Sequence, residues 1–217
     1  MSEKYAIFFG GTTESGKFSR DLFIFDFGEL NAPFIIDFKV GLNREKKNIN
    51  ISETRSFSLV EFAAEDAPYA RHFHSSFFYQ QELYIFGGKS NGYHNDLRKF
   101  NLESKKWTHI KVSAAPLARY GQTCQVFENE LYLYGGYDQH GFPSKDLHKF
   151  NFEKCTWTKV KVSREVPNLE RFHHSCAVFN RSMFVFGGRS EKDSYSDLLE
   201  FHFGELSFHI LNKFIFI

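Results

Sequence analysis

The sequence predicts an all-β protein built from a repeated unit of four short strands, and three observations carry that prediction. Phenylalanine is abundant, with 28 copies in 217 residues, and strands favour aromatic and β-branched side chains. Glycine pairs recur after short aromatic-aliphatic runs, as "KYAIFFGG", "ELYIFGG", "ELYLYGG" and "SMFVFGG". No stretch offers a long helical period bounded by caps.

The pairs are Gly10-Gly11, Gly87-Gly88, Gly135-Gly136 and Gly187-Gly188; the last three are spaced 48 and 52 residues apart (87 to 135 to 187), and the first gap is 77 (10 to 87). An Asp-Leu follows each pair, at Asp21, Asp96, Asp146 and Asp197. Trp107, Trp157 and Phe208 each lie 11 residues after the aspartate of their unit. An arginine opens each later unit, in "RHFHSSFFY" from Arg71, "RYGQTCQVF" from Arg119 and "RFHHSCAVF" from Arg171. Each unit then divides into a strand after the arginine, a strand ending at the glycines, a strand from the Asp-Leu and a strand from the tryptophan. All are 4 to 7 residues long, with turn residues between them.

A period near 50 with paired glycines and a later tryptophan resembles the kelch repeat, one blade of a β-propeller. The resemblance covers roughly residues 5–30 and 57–211. It implies a kelch-type propeller of about four blades of four antiparallel strands: blade 1 at about 4–65, blade 2 at 71–115, blade 3 at 119–166 and blade 4 at 171–212. Blade 1 has no arginine-led strand. Aligning Phe57 with the tryptophans makes residues 31–55 an insertion, read as a polar surface loop in "GLNREKKNINISETR". The other alignment takes "PFIIDFKV" as the fourth strand. A fragment of a longer protein, an open arc and an atypical four-bladed ring all fit this pattern.

Composition limits the function classes. A net charge of +1, from 27 basic and 26 acidic residues, gives no support for a nucleic-acid partner, which would need a basic face. Cys124, Cys155 and Cys176 have neither the spacing nor the number of a disulfide framework or a zinc site. No signal peptide or membrane span is expected, and an intracellular, cytoplasmic protein is the expectation.

The glycine pairs lack the spacing of a phosphate loop, so a backbone role is expected. The tryptophans read as packing between sheets, and the aspartates as turn-fixing residues. His72, His74, His173 and His174 lie on first strands, which in propellers line the central channel. Gln122 replaces histidine in blade 3, so no metal and no other cofactor is expected. Galactose oxidase and plant specifier proteins resemble kelch propellers, but their ligand sets cannot be assembled here, and no enzyme is expected.

The loops after the glycines vary while the frame repeats: "TTESGKFSR", "KSNGYHN", "YDQHGFPSK" and "RSEKDSYS". Variable loops on a repeated scaffold suit a protein-binding adaptor. They carry Tyr93, His94, Tyr137, His140, Phe142, Arg189 and Tyr195 as candidate partner contacts. Resemblance to kelch propellers that capture acidic peptides adds Arg71, Lys89, Arg119 and Arg171, since guanidinium pairs well with carboxylate.

Overall fold

The computed structural model describes residues 5–13, 15–26, 48–52 and 55–213. They contain eighteen strands and no helix. Four antiparallel sheets of four strands follow one another along the chain.

The first sheet holds β1 (Tyr5–Phe9), β2 (Leu22–Asp26), β3 (Asn48–Ser52) and β4 (Arg55–Val60), in the order β1-β2-β4-β3. The second holds β5 (Ser75–Tyr79), β6 (Glu82–Phe86), β7 (Leu97–Asn101) and β8 (Lys106–Ile110) in sequence order. The third holds β10 (Thr123–Phe127), β11 (Glu130–Tyr134), β13 (Leu147–Asn151) and β14 (Thr156–Lys159). A two-stranded ribbon accompanies it, β9 (Arg119–Tyr120) with β12 (Tyr137–Asp138). The fourth holds β15 (Ser175–Phe179), β16 (Ser182–Phe186), β17 (Asp197–His202) and β18 (Ser207–Lys213).

Register matches between sheets. Trp107 pairs with Phe100, Trp157 with Phe150 and Phe208 with Phe201. Phe57 pairs with Phe25 in the same place. One part of the insertion departs from the loop reading: residues 48–52 form β3, which pairs with β4. The alternation of polar and apolar residues in "NINIS" is a strand period, which outweighs the polar composition of its surroundings. Residues 31–47, including the alternative strand "PFIIDFKV", lie outside the described residues, as do 214–217 at the C-terminus.

The core lies between the sheets. Phe9 and Leu22 of the first sheet are buried with Leu83, Ile85, Phe100 and Trp107 of the second. The next two seams repeat the plan, with Trp157 against Phe86 at 5.0 Å and Phe208 against Tyr134 at 5.2 Å between ring centroids. Each fully buried ring contributes about 1.5–3 kcal/mol on leaving water. At the far end of the first strands, Tyr79 stacks on Phe152 at 3.8 Å and Phe127 on Phe203 at 3.9 Å. Phe179, in the corresponding place of the fourth sheet, is exposed.

The glycine pairs stitch the seams. The second glycine of each of the first three pairs donates its N–H to the carbonyl of the next unit's arginine: Gly11 to Arg71, Gly88 to Arg119 and Gly136 to Arg171, at 2.8–2.9 Å. Gly135 shows why no side chain fits. Its φ is +67°, and an added Cβ would sit 2.5 Å from the Arg171 carbonyl oxygen.

Candidate functional site

One end of the sheet array carries a cavity of about 680 Å³. Two residue classes line it: those just after each repeat arginine and those just after each glycine pair. The first class comprises His72, Phe73, Tyr120, Phe172 and His173; the second comprises Lys89, Tyr137 and Arg189. Phe18 and Glu191 complete the wall.

Local backbone pairing brings the classes together. His72 and Lys89 exchange two backbone hydrogen bonds at 2.9–3.0 Å, and Phe172 and Arg189 do the same at 3.0 Å. Tyr120 pairs with Tyr137 in the β9–β12 ribbon. Neighbouring blades are then joined across the mouth: Gly121 N–H donates to the Phe73 carbonyl at 2.9 Å, and His173 N–H to the Gly121 carbonyl at 2.8 Å. Phe73, Gly121 and His173 all have positive φ, at 54°, 66° and 57°. For Phe73 and His173 that conformation is costly, and these inter-blade bonds hold it. Phe73 is 49% exposed as a result, and its ring meets His173 edge-on at 4.4 Å.

The cations of the mouth rest on rings. Lys89 Nζ lies 5.2 Å from the Tyr120 centroid and 5.3 Å from that of Tyr93. The Arg189 guanidinium lies 5.5 Å from the Phe172 centroid. Neither cation forms an ion pair among the described residues. The single lining carboxylate, Glu191, accepts a hydrogen bond from the Tyr137 hydroxyl at 3.3 Å. Partial burial, with Lys89 nearby, lowers the pKa of His72; partial burial with Arg189 and His72 nearby lowers that of His173. Both imidazoles are therefore neutral near pH 7, and the positive charge belongs to Lys89 and Arg189.

Arg71, Arg119 and Arg171 do not belong to this surface. They are at most 1% exposed, so the partner-contact reading is corrected for them. Each sends Nη1 to the carbonyl of the first glycine of its own blade, Gly87, Gly135 or Gly187, at 2.9 Å. Arg71 also grips Asp96 through two bonds of 2.6 and 3.0 Å, and Arg171 grips Asp197 through two of 2.9 and 3.1 Å. Buried ions persist only when paired and hydrogen-bonded, and these forks meet that demand. The turn-fixing reading of Asp96 and Asp197 is likewise revised, because they are the arginines' counter-ions. Hydrogen bonds from Arg71 and Arg98 hold the Asp96 carboxyl down to about 2 despite its burial. Blade 3 varies the scheme: Arg119 donates to the carbonyls of Leu117 and Gly135, while Asp146 binds Lys159 at 2.6 Å.

The other candidates divide. Lys89, Tyr137 and Arg189 line the mouth, and Tyr93 supports Lys89 from behind. His94 bonds to Ser90 at 2.8 Å, with its pKa lowered by partial burial. Tyr195 lies against the buried Arg171, 4.6 Å from its guanidinium. His140 and Phe142 are exposed on the loop that Asp138 organises by accepting their backbone N–H groups at 2.9 and 3.2 Å. Phe18, His72, Phe73, Tyr120, Phe172, His173 and Glu191 were not among the candidate partner contacts, although His72 and His173 were placed on channel-lining strands. Their signal in the sequence is positional, since five of them lie one or two residues after the repeat arginines.

His74, Gln122 and His174 sit deeper, one per blade. His174 is 6% exposed and packs 2.8 Å from where a Gly135 Cβ would be. Burial lowers its pKa to about 3. Burial pushes the Cys124 and Cys176 thiols up to about 12, so both stay protonated packing groups. Among the described residues, no three His, Cys, Asp or Glu side chains gather as a metal-ligand group.

A family model described as the KLHDC2/KLHL20/DRC7 Kelch-repeats domain matches residues 41–214. The chain belongs to this kelch-repeat family. No curated protein matches it. Kelch-repeat domains are in general protein-interaction modules, and the stacked four-stranded sheets are the blades of the kelch fold. No helix among the described residues is long and apolar enough to cross a membrane.

Proposed function

We propose that this kelch domain is an adaptor that binds a partner protein at the mouth, taking an anionic segment against Lys89 and Arg189 with the variable loops as the rim. The observation behind this reading is the state of those two cations: both face an aromatic-walled cavity without a carboxylate partner among the described residues. A cationic ligand suits the site poorly, because the faces of Tyr120 and Phe172 already hold the protein's own cations. The inter-blade hydrogen bonds through Gly121 hold the wall before any partner arrives, which lowers the ordering cost of binding.

Selection from a random displayed peptide library tests the reading. The native chain is expected to enrich Asp- and Glu-bearing sequences, with binding that weakens as salt rises. A variant carrying Lys89→Ala and Arg189→Ala should lose that enrichment while keeping its melting temperature. Enrichment of basic peptides, or acidic enrichment that survives the double substitution, would overturn the proposal.

A further inference from the structure

The second residue after each repeat arginine fills one backbone slot in three ways: Phe73, Gly121 and His173, all with positive φ. The bonds made there are main-chain bonds, Gly121 N–H to the Phe73 carbonyl and His173 N–H to the Gly121 carbonyl. Gly121 shows that the slot needs no side chain, and glycine is the residue that suits such a backbone best. It also makes room, since a Cβ on Gly121 would sit 3.0 Å from His173 Nδ1. The Phe73 ring takes no part in this bonding, yet it is held in the slot and left 49% exposed. Residues kept in such conformations cluster at ligand clamps.

Phe73 belongs to a circuit of four rings at the mouth. It lies 5.9 Å from Tyr120, Tyr120 lies 6.0 Å from Phe172, Phe172 lies 4.9 Å from His173, and His173 lies 4.4 Å from Phe73. The protein's own cations rest on two of these rings, Lys89 on Tyr120 and Arg189 on Phe172. Lys89 reaches the circuit from blade 2 and Arg189 from blade 4. No cation rests on Phe73 among the described residues. Partial burial and the neighbouring cations keep His72 and His173 neutral near pH 7. The open part of the circuit is therefore an uncharged aromatic surface with positive charge on the blades to either side.

Two kinds of group suit an exposed ring, a cation and a second ring. A cation on Phe73 would be repelled by Lys89 and Arg189 in the same cavity. An aromatic side chain brings no charge and gains the offset or edge-on contacts that rings prefer. A purely acidic segment would leave the Phe73 ring in water. We infer that Phe73 is the docking platform for an aromatic side chain of the partner, set between acidic residues that meet Lys89 and Arg189. This rests on the anionic reading of the mouth and narrows it: the segment recognised carries Phe, Tyr or Trp with Asp or Glu on either side.

The displayed random library supplies the probe. The native chain is expected to enrich acidic peptides with an aromatic residue between the acids. The most enriched peptide is synthesised with that aromatic residue or with leucine in its place, and both forms are titrated by calorimetry against the full chain. Leucine should weaken binding to the native chain by about twofold to tenfold, the scale of one aromatic pair. Phe73→Gly copies blade 3 at Gly121, so it should stay folded and lose most of that difference. Phe73→Asn, whose side chain also tolerates the left-handed backbone, gives the same comparison. The cycle of peptide and protein substitutions reads the ring–ring contact itself, which a merely structural role for Phe73 would not move. An equal leucine penalty in the native and variant chains would overturn the inference. Acidic enrichment without an aromatic preference would also overturn it and leave the proposed function standing. Aromatic enrichment without acidic residues would overturn the proposed function, and with it the acidic half of the inference. Enrichment of neither kind would overturn both.

Discussion

Two of blade 4's arginines sit in opposite circumstances. Arg171 is fully buried, bonded to Gly187 and Asp197 and flanked by Tyr195. Arg189 lines the open mouth with Phe172 beneath it and no ion pair among the described residues. Blade 2 repeats the contrast with Arg71 and Lys89. In each of these two pairs one cation holds strands together, and the other lines the open mouth. Charge alone does not assign the role; the number of acceptors converging on it does.

The largest expected effect tests this division directly. Arg171→Ala leaves the Asp197 carboxylate buried without its fork, and breaking a buried pair in this way costs about 3–5 kcal/mol. Arg189→Ala should stay within about 0.5 kcal/mol, as surface changes do. Urea denaturation of both variants checks the contrast, and equal losses would erase it.

Next comes a glycine comparison between a closed seam and the last blade. Gly135→Ala brings a Cβ to 2.5 Å from the Arg171 carbonyl at a φ of +67°. Gly187→Ala has a similar φ of +65°, but its nearest atom is the Tyr195 carbonyl oxygen at 3.3 Å. Both pay about 1–2 kcal/mol for the left-handed backbone, and only Gly135→Ala adds a clash across blades. Its midpoint should therefore fall further, and the reverse order would show that the fourth blade's face is as tightly covered as the inner ones.

The last effect is graded by pH and accumulates unit by unit. His174 titrates at about 3 in the folded chain against an ordinary 6.5, so between those values the unfolded chain binds the extra proton. Stability is full above about pH 6.5 and falls toward pH 3, by up to about 1.4 kcal/mol per unit for this group. Asp96, held at about 2 against an ordinary 3.8, removes further stability as pH falls through that lower window. His174→Gln, the residue blade 3 carries at Gln122, should flatten the slope between pH 6.5 and 4. An unchanged slope in chemical denaturation would remove His174 from the account. His74, held at about 3 by burial as well, should contribute a slope of its own over the same window, so His174→Gln should remove only part of it.

Much of the frame was legible because its signals are local and repeated. The glycine pairs, the tryptophans and the arginine-led segments each recur at fixed offsets, and the strands lie where those offsets put them. Lys89, Tyr137 and Arg189 were legible as the residues following each glycine pair. Phe73, Tyr120 and Phe172 were not chosen, because aromatic residues beside a repeat arginine look like more core; His72 and His173, placed on channel-lining strands, were weighed only as metal ligands. Positive φ at Phe73 and His173, held by bonds from another blade, turns these positions toward the mouth, and no local pattern announces that. β3 was missed for the opposite reason: its alternation is short and lies within a charged stretch.

The sequence by itself determined the all-β class, the repeat and the kelch membership, because periodic apolar residues and glycines act through nearest neighbours along the chain. Tertiary structure decided which cations are sealed and which line the open mouth. A guanidinium is stable in the interior only where a glycine carbonyl and, in blades 2 and 4, an aspartate from other strands of its blade converge on it. Convergence of that kind is a property of folded space, and a one-dimensional pattern of arginines does not contain it.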